Sequence, residues 1–187
     1  MKKITVFAIA LLVSATTFAQ KWSVDKAHSK LNFTLTHLLL SEVDGTFKSF
    51  DATVTSSKED FSDAVFELTA DTKQITTNNE MRDGHLQKPD MFDTEKFPTM
   101  TFKSTSITPA GPKKFKLAGN LTMKGVTKPV VLDLTLNGIG ANRQGKKLAG
   151  FKASGVVKRT DFGVGAMPAA VVSEEIELRA SGEFVLN

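Results

Sequence analysis

Apolar and polar residues alternate one for one through most of this chain, and that period of two leaves few folds open. Successive side chains of a strand point to opposite faces, so such alternation marks strands with one buried face. Leu31, Phe33, Leu35 and His37 share one face of the first clear run, with Lys30, Asn32, Thr34 and Thr36 on the other. Phe50, Ala52 and Val54 repeat the pattern, as do Ala64, Phe66, Leu68 and Ala70. Met100, Phe102 and Ser104 follow, then Phe115 and Leu117, then Val130, Leu132, Leu134 and Leu136, then Phe151, Ala153, Gly155 and Val157. The last run is the longest, setting Ile176, Leu178, Ala180, Gly182, Phe184 and Leu186 against Glu175, Glu177, Arg179, Ser181 and Glu183. Such runs predict about eight antiparallel strands.

Turn signals separate the runs at Asp44-Gly45, Pro109 to Pro112, Gly125, the loop from Gly138 to Lys147, and Pro168. One segment departs from the period. Thr77-Asn78-Asn79-Glu80 has the form of a capping box and predicts a short helix through Leu86, with one more turn at Pro89 to Phe92. No composition shift divides the chain, so the expectation is one all-β domain with a short helical excursion near 77–92. Closing the strands into a barrel removes exposed edges, which favours a barrel over the rival β-sandwich.

The beginning of the chain reads differently. Lys2 and Lys3 precede an uncharged run from Ile4 to Val13, and Thr17-Phe18-Ala19 ends it with small residues. A basic start, a short apolar core and small residues before a break predict a secretory signal peptide over 1–19 and a domain over 20–187. The run falls short of the roughly 20 residues a membrane span needs, so an integral membrane protein is not expected. Without that leader the domain has 22 basic against 20 acidic residues, a net charge of +2 in place of +4. With so little charge and no dense Lys/Arg block, nucleic acid is not an expected partner. There is no cysteine, so stability must come from burial and strand ladders rather than disulfides.

Whether such a barrel is filled or hollow depends on its inward face. Eight strands enclose a space that side chains can just fill or that can hold one small ligand. Large inward residues (Phe33, Phe66, Phe102, Phe151) accompany small ones at Ala64, Ala70, Ala153, Gly155, Ala180 and Gly182. Small residues side by side on the last two strands leave an apolar gap that a ligand would fill, or they fit the taper of a solid core. The residues alone leave both open.

Chemistry-bearing residues are sparse. Three histidines, His28, His37 and His85, match the ligand number of a catalytic zinc site, but none has metal-motif spacing and no cysteine assists them. No Gly-x-Ser-x-Gly elbow is present, and Gly163-Val164-Gly165 lacks the strand-to-helix setting of a phosphate loop. Neither a catalytic residue, a bound metal nor a cofactor is expected. Arg82-Asp83 with His85, and Arg159 with Asp161, read as ion pairs and caps, or as a polar mouth that meets a lipid headgroup.

Taken in order, these motifs resemble the YceI-like family. The resemblance rests on Trp22-Ser23-Val24-Asp25-Lys26-Ala27-His28-Ser29 with Phe33, His37 and Gly45-Thr46-Phe47, and on Thr77 with Arg82-Asp83-x-His85-Leu86. It continues through Phe92-Asp93, Phe97-Pro98, Gly119-Asn120-Leu121-Thr122, Lys124 to Val130, and Arg159-x-Asp161-Phe162-Gly163-Val164. Asn120, where members often have Asp, and Gly84 inside the Arg-Asp-x-His stretch depart from it. The resemblance implies a periplasmic, lipocalin-like eight-stranded antiparallel barrel, often dimeric, with a polyisoprenoid-type lipid in its lumen, and the expectation is binding, storage or transport of such an isoprenoid or a quinone-like molecule. The expected lining is Phe33, Leu35, Phe66, Leu68, Phe102, Leu117, Leu134, Phe151, Ile176 and Leu178, with His37, His85, Arg82 and Arg159 at the mouth. A homodimer would use the 138–147 loop and the final strand. The rival readings are a filled-barrel interaction protein and a His-based metalloenzyme acting on lipids.

Overall fold

The computed structural model describes residues 19–187, and the leader read over 1–19 lies, but for Ala19, outside them. Ten strands form in chain order: β1 (Gln20–His37), β2 (Ser41–Phe47), β3 (Phe50–Ser56), β4 (Val65–Asp71), β5 (Ile75–Thr76), β6 (Thr99–Gly111), β7 (Lys114–Met123), β8 (Val126–Ala141), β9 (Lys147–Lys158) and β10 (Glu175–Leu186). The helix α1 spans Glu80–Leu86, between β5 and β6. Neighbours run β10-β9-β8-β7-β6-β4-β3-β1, and β1 pairs again with β10. Eight antiparallel strands therefore close into a barrel, and the sandwich alternative falls away. Strands β2 and β5 are additional. β1 is long enough to pair β3 through Gln20–Ser23 and β2 through Asn32–His37, while β5 pairs β2.

The inward face follows the alternation. Leu31, Phe33, Val54, Phe66, Phe102, Leu117, Leu134, Phe151 and Phe184 are all buried. Their rings form two connected groups, one toward each end. Trp22 packs on Phe61 at 5.4 Å, Phe61 on Phe151 at 5.0 Å, and Phe151 on Phe66 and Phe184. Toward the other end Phe33, Phe47 and Phe92 make a separate edge-to-face series.

Several local expectations are corrected. Asp44-Gly45 is not a turn but lies within β2, where Gly45 faces Phe33 across the ladder. A Cβ on Gly45 would sit 2.1 Å from the Phe33 ring, so glycine here makes room for an aromatic rather than bending the chain. The loop expected over 138–147 is shorter, 142–146, since β8 runs to Ala141 and β9 starts at Lys147. The N-cap of α1 is Asn79, whose side chain accepts from the Arg82 amide, in place of the Thr77–Glu80 box. Thr77 is diverted because its hydroxyl donates to Asp83. Pro89 to Phe92 forms turns and no further helix.

One end is plugged by the loop 57–64. Phe61 projects from it into the aromatic group and is 1% exposed, held at a φ of +59° that a bulky residue rarely adopts. The loop is tied down by Asp63, which accepts from the Ser56 and Ser57 hydroxyls and from the Ser57 and Lys58 amides. Partial burial pushes this carboxyl up, but the four hydrogen bonds outweigh it and bring it down to about 2.

Two outcomes follow. A Cβ on Gly119 would meet the Phe102 ring at 2.5 Å and the Lys103 carbonyl at 2.6 Å, whereas one on Gly138 meets nothing within 4 Å. Gly119→Ala is therefore expected to lose about 1–3 kcal/mol of unfolding free energy in urea while Gly138→Ala stays near neutral. Asp63, depressed on folding, stabilises fully above its ordinary value of 3.8, and that contribution is lost as pH falls through about 2. Asp63→Asn should accordingly lower the urea midpoint at neutral pH, with the gap from the parent protein closing over that acid window.

Candidate functional site

Inside the barrel lie two apolar chambers. The larger, about 110 Å³, is walled by inward residues of most strands, among them Phe66, Leu68, Phe102, Leu117, Leu134 and Phe151. Almost all of its surface is carbon. The smaller, about 60 Å³, lies toward α1 and is lined by Phe33, Leu35 and Ile176 together with residues from outside the strands. Leu178 on β10 borders both. From Ile176 to Phe184 the shared wall runs roughly 27 Å at about 3.4 Å per residue. A space of this kind can hold hydrocarbon and little else, because a polar group placed there would give up water with nothing to replace it.

All ten apolar residues read from the alternation face one chamber or the other. Ala153, Ala180 and Ala52 border the larger one, so small side chains do contribute to the open space. Gly182 borders it as well and Gly155 does not, but neither has room for a side chain of its own. A Cβ on Gly182 would lie 2.2 Å from the Ser29 hydroxyl oxygen, and one on Gly155 would lie 2.6 Å from Leu132. Neighbouring strands already fill those two gaps. Periodicity missed the far wall of the smaller chamber, built by Leu86, Met91, Phe92, Val164 and Met167. These come from α1 and loops, where period two carries no signal; only the helical position of Leu86 could have pointed there.

The four polar residues assigned to the mouth separate. Arg159 borders the smaller chamber but is 5% exposed, and its guanidinium is fully occupied. Nε donates to the Ser173 carbonyl, Nη1 to those of Val164 and Gly165, and Nη2 to those of Met167 and Val172. Five donors thus meet five carbonyls, and the guanidinium expected to pair with Asp161 is given to the backbone instead. Its planar fork shapes the 164–173 segment that roofs the chamber. Arg82, His37 and His85 border neither chamber. Arg82 binds the hydroxyl and carbonyl of Thr77, and His85 pairs with Asp90 at 2.9 Å. Asp83 fastens α1 to β5. Partial burial raises its carboxyl, but donation from Thr77 and Thr76, aided by the Arg82 charge, leaves it lowered overall.

The histidines do not gather. His28 pairs with Asp25 at 2.9 Å and lies 4.0 Å from Glu183, while His37 forms a backbone bridge to Val172. Among the described residues, Asp25, His28 and Glu183 are the one set of three potential metal ligands within reach of each other, and they lie at the surface ladder of β1 and β10. No helix among the described residues is long and apolar enough to cross a membrane.

Comparison with known proteins adds to this geometry. The YceI-like domain pattern matches residues 22–184. Protein YceI of Salmonella agona strain SL483 is 38% identical over 181 residues, spanning 96% of this chain and 94% of that protein. BcnA of Burkholderia cenocepacia superposes with a TM-score of 0.78 at 26% identity, covering 86% of this chain and 98% of that one. A polyisoprenoid-binding domain from Saccharophagus degradans, implicated in plant cell wall breakdown, superposes with a TM-score of 0.64 over 91% of this chain and 100% of that one. At 13% identity the last likeness is one of fold.

Arg159 also yields a test. Lysine keeps the charge but offers three donors on a point cation, so Arg159→Lys leaves buried carbonyls unpaired. Since each such group costs about 1–3 kcal/mol, the variant is expected to unfold at clearly lower urea, with the 164–173 amides losing hydrogen-exchange protection first.

Proposed function

We propose that this chain, which belongs to the YceI-like family, is an exported binding protein that holds one long apolar lipid in its barrel and catalyses no reaction. The observation that carries the proposal is the pair of carbon-walled chambers sharing Leu178 inside a closed ring of strands. A lipid of the polyisoprenoid or quinone-like type fits this wall, because its tail asks for burial rather than directed hydrogen bonds. The same barrel architecture in the polyisoprenoid-binding domain from Saccharophagus degradans supports that choice. The basic, then apolar start of the chain supports export, with the periplasm as the working compartment.

Energetics favour the tail. Each buried CH₂ contributes about 0.8 kcal/mol, so a tail of some tens of carbons gains far more than the lost freedom of the chain and of association takes back. Selectivity among tails is then weak, and the barrel acts as a carrier or store for a chemical class. The headgroup sits at the α1 end, where the roof is made of loops rather than strands. Arg159, with every donor taken, supports that roof and leaves headgroup contact to Arg82, His37 and His85.

The test is native mass spectrometry of protein purified from its own compartment without detergent, followed by organic extraction. A bound mass in the isoprenoid or quinone range is expected. Ala153→Phe places a ring in the larger chamber and should remove that mass while leaving the thermal midpoint within a few degrees. Retention of lipid by this variant, or a parent protein that stays empty after incubation with such lipids, would move the weight to a filled-barrel interaction protein.

A further inference from the structure

The turn between β1 and β2 breaks two rules at once. Leu38, Leu39 and Leu40 follow one another and are 48%, 72% and 85% exposed. Consecutive exposed apolar residues are disfavoured in a water-soluble surface unless a function needs them. The other large exposed apolar residues, such as Met81, Val131 and Val156, stand singly in the chain and need no such account.

The backbone adds an independent oddity. Leu40 donates its amide to the His37 carbonyl at 3.0 Å, and Leu38 and Leu39 have φ of +52° and +59°. His37 to Leu40 is thus a β-turn with both central φ values positive, the type I′ form, set in a three-residue connection, and that form selects Asn-Gly because a Cβ is crowded there. The β7–β8 turn in this same chain follows the rule, with Gly125 at its second position. Stability alone would not place two leucines in the β1–β2 turn.

Position gives the pair a purpose. Leu38 donates to the Val171 carbonyl at 2.9 Å, and His37 bridges to Val172. Val172, Leu35 and Met167 line the smaller chamber, so apolar surface continues from the tip into the barrel. Exposed Pro168, Ala169 and Ala170 lie in the same segment. We infer that the Leu38-Leu39-Leu40 tip docks the α1 end of the barrel on a phospholipid bilayer by inserting its leucines among the lipids. A bilayer suits the tip better than a protein does. Three side chains cannot supply the roughly 800 Å² each partner gives a stable protein interface, whereas a fluid phase closes around a narrow protrusion. The purpose of docking rests on the lipid-binding reading, because a water-insoluble ligand passes most readily where carrier and bilayer touch.

The experiment is flotation of the purified protein with vesicles of phosphatidylcholine, and separately of phosphatidylcholine with phosphatidylglycerol. The parent protein should float with both. The double substitution L38N/L39G gives the turn the residues it prefers, so its thermal midpoint should hold or rise. Its vesicle-bound fraction should drop at least about tenfold, since burial of a single leucine is worth that factor. Failure of the parent to float, or equal flotation of the variant, overturns the proposal. Light scattering that shows a dimer dissolved by the same substitutions would assign the tip to a second copy and overturn it as well. Ala153→Phe keeps the two readings apart: it should lose bound lipid yet float like the parent.

Discussion

The ladder between the first and last strands is the constraint on which the rest depends. β1 and β10 pair from Trp22 opposite Leu186 to Thr34 opposite Glu177, with one irregularity between Asp25 and Lys30. Without that ladder the sheet would have two free edges and its apolar face would open to water. With it, the alternating side chains share an interior, and the chambers become places where water has no reason to stay. Closure also brings the irregular part of β1 against β10, so that Ser29 covers Gly182 and His28 comes near Glu183.

The two ends are secured by different means from the middle. Between them the barrel relies on aromatic and aliphatic packing. At the plugged end Asp63 gathers donors from Ser56 to Lys58, and at the roofed end Asp83 and Arg159 do comparable work on α1 and on the 164–173 segment. Arg159 is the extreme case, a buried cation neutralised by carbonyl dipoles in place of a carboxylate. Its neighbours are therefore fixed in direction, which gives the loop roof a definite shape that irregular backbone would not otherwise have. Of the two ends, the roof beside the leucine tip is the less densely aromatic.

Much of this was legible in the sequence. Period two located the strands and faced all ten expected lining residues inward, because a half-buried strand writes its burial directly into the order of residues. What escaped detection depends on contacts between strands. Asp44-Gly45 reads as a turn because the Phe33 ring that Gly45 accommodates lies on another strand, and Gly155 and Gly182 read as vacant for the same reason. The real β1–β2 turn was invisible because leucines occupy positions that turn chemistry reserves for asparagine and glycine. Arg159 showed itself as a candidate contact for a headgroup, yet carbonyls leave no trace in a sequence, and its five partners could be seen only in three dimensions.

The packing of Trp22 on Phe61 has a spectroscopic consequence. The chain has one tryptophan and no tyrosine, so indole emission comes from a single buried point at the plugged end. The protein thus carries its own optical probe, remote from the roof and free of overlapping signals. Changes in that emission report on the plug alone, so events at that end can be followed without adding a label.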